Sequence, residues 1–133
     1  MINPYQQYKE QSISTLAPGE LLVKLFDESI KQMNLAKMAI QNNPDLSVAN
    51  DCLNKALTII YTLTTSLDMR FPIANDLRNM YIFIVKQIHT ANMKKDVDVI
   101  EETLPLIKDL RDSFDQADKI NRKNQHLMGG RAI

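Results

Sequence analysis

The stretch Pro72–Asn92, PIANDLRNMYIFIVKQIHTAN, decides how this chain folds. Ala74, Leu77, Tyr81, Ile84, Ile88 and Ala91 recur at alternating steps of three and four, the seam of a packed helix. A second apolar set lies beside that seam: Met80 and Phe83, with Ile82 and Val85 further round. One partner helix cannot cover so much circumference. The segment either sits among several helices or leaves surface for another molecule, and periodicity alone does not choose between the two.

The same alternation appears on both sides of this stretch. Upstream, Leu22, Phe26, Ser29, Met33, Ala36 and Ile40 predict a helix over 18–42. Pro18 suits its first position, Thr15 is available as a cap, and Asn42–Asn43–Pro44 ends it. A second helix over 46–67, capped by Asp45 or Ser47, follows from Ala49, Leu53, Ala56, Ile60, Leu63 and Leu67. Its run of Thr58, Thr62, Thr64, Thr65 and Ser66 lowers helix propensity without disturbing the period. The central helix spans 72–94. Downstream, Asp96 can cap a fourth helix over 97–117 with the seam Ile100, Thr103, Ile107, Leu110, Phe114 and Ala117, and Pro105 predicts a kink in it. Four long helices on very short turns run up and down, so the expected fold is an all-α antiparallel four-helix bundle.

Both ends stand apart from this body. Residues 1–17 are polar except for Tyr5 and Tyr8, whose spacing of three places both rings on one side of a short helical turn begun near Pro4. So short a segment does not hold a helix unaided and must dock on the body or move. After Lys119 the apolar pattern dissolves. Residues 119–133 carry Lys119, Arg122, Lys123 and Arg131 and no acid, and the expectation there is a flexible basic tail. The division is thus an N-terminal segment (1–17), a bundle (18–118) and a tail (119–133).

Composition limits the function. The chain has 133 residues, 44% hydrophobic and 24% charged, with a net charge of zero, which removes any global electrostatic attraction to nucleic acid or an anionic membrane. A single cysteine, Cys52, excludes an internal disulfide and suits a reducing compartment. No run is apolar enough to span a bilayer and no basic-then-apolar leader opens the sequence, so a cytoplasmic protein without membrane insertion is expected. Chemistry is hard to assemble. His89 and His126 have no Cys or carboxylate at ligand spacing, Ser29 and Cys52 sit on apolar helix faces without an adjacent base, and Gly129–Gly130 opens no helix. No enzyme, metal or cofactor is expected. What remains is surface hydrophobicity, with Leu57, Tyr61, Met80 and Phe83 as candidates for a partner groove.

Several stretches together resemble a known family. NPYQQYKEQS, APGELLVKLFDESI, LNKALTII followed by LD, ANDLRNMY and TANMKKDVDVIEETLPLIKDLRDSF are similar, in order and spacing, to the flagellin export chaperones of the FliS family. The resemblance runs from Asn3 to about Ala117. It implies a cytosolic helical bundle, a monomer or weak dimer, that binds the disordered C-terminal region of flagellin, prevents premature polymerisation and assists delivery to the flagellar type III export apparatus. It also implies that Tyr5 and Tyr8 belong to an N-terminal lid over part of the cargo surface. Two departures stand out: the family's frequent Tyr-Asp-Tyr is Tyr81–Ile82–Phe83 here, and its common late Trp is Phe114. The alternative is a homo-oligomeric structural bundle without cargo, its spare apolar surface buried against itself.

Overall fold

A computed structural model describes residues 18–42 and 44–132, and these form four helices with no strand among them. They are α1 (Pro18–Gln41), α2 (Leu46–Thr65), α3 (Ile73–Lys94) and α4 (Val97–Ala132). Each helix packs on the next, and α4 closes the ring against α1, while diagonal pairs stay apart. This is the antiparallel up-and-down bundle the seams demand. Tyr5, Tyr8 and the Thr15 cap lie outside the described residues.

The seams point inward as their spacing requires. Phe26, Met33, Ala36, Leu53, Ala56, Ile60, Leu63, Tyr81, Ile84, Ile88, Ala91, Ile100 and Ile107 are all at most 1% exposed and form one core. Ser29 and Cys52 are core fillers: Ser29 is fully buried and its Oγ donates to the Phe26 carbonyl at 2.7 Å, while Cys52 sits buried in the apolar cluster. The Asp45 side chain caps α2 by accepting from the Val48 N–H at 3.1 Å. Lys95 takes the left-handed conformation that stops α3, and the Asp96 carboxylate then accepts from the Asp98 N–H at 2.9 Å to start α4.

The fourth helix is longer than its apolar seam predicts, 36 residues instead of ending at 117. A seam marks where a helix packs, not where it stops. Beyond Ala117 the turns are joined by ion pairs four residues apart, Asp115–Lys119 at 3.0 Å and Asp118–Arg122 at 2.6 Å. Cations near a helix C-terminus also suit the helix dipole. Arg122 reaches across to Glu20 at the start of α1, so the bundle proper ends there. The last ten residues of α4 continue past it for roughly 15 Å. Gly19 permits this junction: a Cβ there would lie 2.2 Å from Asp118 Oδ1. The helix also passes through Pro105 without a break. Pro105 and Glu101, whose carbonyl loses its usual donor, are both exposed, so water can serve that oxygen.

Candidate functional site

The two flanks of α3 are built differently. Toward α2, Asn92 Nδ2 donates to Asn50 Oδ1 at 2.9 Å, and the Tyr61 hydroxyl lies 3.4 Å from His89 Nε2. Toward α4, no hydrogen bond or ion pair crosses among the described residues, and the flank is apolar. Ile73, Met80 and Phe83 are 63, 40 and 51% exposed there. Met80 divides the space into two lobes. One, about 290 Å³, is lined by Asn79, Met80, Phe83, Ile84 and Leu106. The other, about 400 Å³, has Leu77, Leu110 and Phe114 as its floor, with Ile73, Met80, Asp109, Ser113 and Ala117 around it.

Side-chain size explains why this groove is open. The outer stripe of α3 carries long apolar residues, but the facing stripe of α4 runs Asp109, Ser113, Ala117, at steps of four. Short or charged residues there make no apolar wall opposite Ile73 and Met80. The floor is firm: the Phe114 ring lies 5.2 Å from Phe26, and Phe26 lies 6.3 Å from Tyr81, a chain of tilted aromatic rings from groove to core. Burial pushes the Tyr81 phenol well above its ordinary pKa, as expected for a ring in that core.

A larger groove, about 730 Å³, lies between α1 and α4. Ion pairs cross it: Arg111 Nε to Asp27 Oδ1 at 2.9 Å and Lys37 to Glu101 at 3.9 Å. The hydrogen bond to Asp27 raises the Arg111 pKa further, and the Lys119 ammonium holds the Asp115 carboxyl below its usual range. Such a lining suits water better than an apolar partner.

The sequence candidates separate between the flanks. Met80 and Phe83 share the α3–α4 groove, whereas Tyr61 lies on the α2 side by His89, with Leu57 one turn before it. His89 is exposed, its ring beside the half-exposed Tyr61 at the rim. Ile73, Asp109 and Ser113 were not among the candidates. The signal that could have found the two on α4 is the absence of large apolar residues at 109, 113 and 117, which marks a helix face with no wall. Among the described residues no group of three or more His, Cys, Asp or Glu could hold a metal ion, and no helix is long and apolar enough to cross a membrane.

A family model described as flagellar protein FliS matches residues 1–121. A relative from Bacillus subtilis, the flagellar secretion chaperone FliS, is 34% identical over 128 residues, 96% of each chain. The protein of the same name from Vibrio cholerae is 31% identical over 84% of this chain and 85% of its own length. The one from Salmonella typhimurium is 26% identical over 86 and 87%. The matched span takes in all of α1, α2 and α3 and α4 as far as the end of the bundle, and with it the whole open groove: the chain belongs to the FliS family.

Proposed function

We propose that this chain is a flagellar secretion chaperone whose α3–α4 groove seats an amphipathic helical stretch from the C-terminal region of flagellin. It acts in the cytoplasm, without catalysis, keeping flagellin from polymerising and presenting it to the flagellar type III export gate. The observation that carries this reading is an apolar groove left open on a well-packed bundle, with Ile73, Met80 and Phe83 between 40 and 63% exposed. A cargo segment disordered when free can wrap such a surface while losing ordering entropy, which keeps binding specific yet reversible. Leu57 and Tyr61, on the other flank of α3, are reached by a segment long enough to pass around that helix. Tyr5 and Tyr8 serve as an N-terminal lid that competes for the apolar surface, lowering apparent affinity by the fraction of closed lid.

Calorimetric titration with the C-terminal segment of flagellin from the same organism tests the reading. A monomer that gains the segment at one-to-one stoichiometry supports it. An obligate oligomer by light scattering, with no heat of binding, favours instead a structural bundle that buries this surface against its own copies.

A further inference from the structure

The apolar groove between α3 and α4 has charge on its rim of one sign only. On α3, Ile73, Asp76, Met80 and Phe83 follow steps of three, four and three, so Asp76 stands in the same exposed stripe as the groove's apolar residues. On α4, Glu102, Leu106, Asp109 and Ser113 follow steps of four, three and four, and Asp109 lines the larger lobe as well as the edge of the groove between α1 and α4. Asp76, Glu102 and Asp109 are exposed and have no hydrogen-bond or ion-pair partner among the described residues. No Lys or Arg lines either lobe. The bases nearest in sequence belong elsewhere: Lys108 lines the groove between α1 and α4, and Arg78 falls with Ile82 on the α2-facing flank.

From this we infer that the groove selects its occupant by charge as well as by shape: it takes an amphipathic helix whose apolar stripe is bordered by lysine or arginine, paired with Asp76 on one side and Asp109 on the other. The inference rests on the groove being the cargo seat and adds the chemistry of what fits it. Length follows from geometry. The floor from Leu106 to Ala117 spans eleven steps along α4, about 17 Å, which accommodates roughly three turns of a bound helix. An acid on the border of the bound stripe would meet Asp76 or Asp109 across a low-dielectric floor of Leu77, Leu110 and Phe114, so the rim also rejects wrong segments. Because the chain's net charge is zero, a preference of this kind arises locally and not from the field of the whole molecule.

Two synthetic fourteen-residue helical peptides with one shared apolar stripe, bordered by Lys in one and Glu in the other, test this against the full chain by fluorescence anisotropy. The wild type should bind the Lys-bordered peptide roughly fivefold tighter, as two exposed ion pairs allow, with the gap closing as salt rises. In the double variant Asp76→Lys/Asp109→Lys, both exposed positions that leave the core untouched, the preference should reverse. Equal affinity for the two peptides, or an unchanged preference in the double variant, overturns the rim while leaving the groove in place. If neither peptide binds but the flagellin C-terminal segment does, the seat lies elsewhere and the inference falls with it.

Discussion

Both flanks of α3 pack against a neighbouring helix, yet one is closed and the other open. On the α2 side, side chains reach across: Asn92 to Asn50 and Tyr61 to His89. On the α4 side, long apolar residues face Asp109, Ser113 and Ala117, and nothing polar ties the helices together among the described residues. Both flanks meet one core, and Tyr81, Ile84 and Ile88 are about 1% exposed. A bundle can therefore be fully packed inside and still hold an unfinished seam. Stability resides in the inward stripe and in the closed flank, and the binding proposed above in the open one.

This contrast can be broken experimentally, beginning with the inward stripe. Ile88→Ala should lower unfolding free energy by about 2–5 kcal/mol, because it removes buried methyls and leaves a cavity. Denaturant unfolding measures it. A loss under about 1 kcal/mol would mean that α3 is not held by its core face.

The open flank should respond in the opposite way. Phe83→Ser should weaken binding of the flagellin segment by about tenfold or more, near 1.4 kcal/mol, yet change stability by under about 1 kcal/mol. Equal losses of stability and affinity would make Phe83 a core residue and erase the distinction between the flanks.

The closed flank offers the reciprocal test. Asn92→Ala leaves Asn50 without its donor and should cost about 1 kcal/mol of stability while leaving affinity at the groove unchanged.

The subtlest effect is confined to alkaline pH. Burial raises the Tyr81 pKa in the folded state, so above the unfolded value, about 10, the unfolded chain loses a proton that the folded chain keeps. Stability then falls with rising pH, by at most about 1.4 kcal/mol per unit from this group. Tyr81→Phe should remove that part of the slope and leave the neutral-pH profile parallel to wild type. An identical alkaline slope in the variant would argue against a protected phenol.

Much of this architecture was legible in the sequence. Steps of three and four fixed four helices and placed almost every buried residue, because burial on a helix has a period and a period can be read along a chain. The end of α4 was not legible that way: from 119 to 132 the helix is sustained by pairs such as Asp115–Lys119 and by the Glu20–Arg122–Asp118 contact, not by an apolar seam. The groove was half legible. Met80 and Phe83 stood out as apolar residues beyond the seam, but Leu57 and Tyr61 looked equally surplus. Which surplus residues share a surface depends on which flank of α3 faces which neighbour, and that is a property of the ring of four helices. Asp109 and Ser113 carried no apolar signal, since they act by leaving space.

The most direct test of the central claim is methyl chemical-shift mapping of the full chain during titration with the flagellin C-terminal segment. Seating in the α3–α4 groove predicts the largest shifts at Ile73, Leu77, Met80, Leu106 and Leu110, with Ile59, on the far side between α1 and α2, unmoved at the first equivalent. Shifts concentrated at Ile59, or at Ile30 and Leu104 in the charged groove between α1 and α4, with Met80 and Leu110 silent, would contradict it.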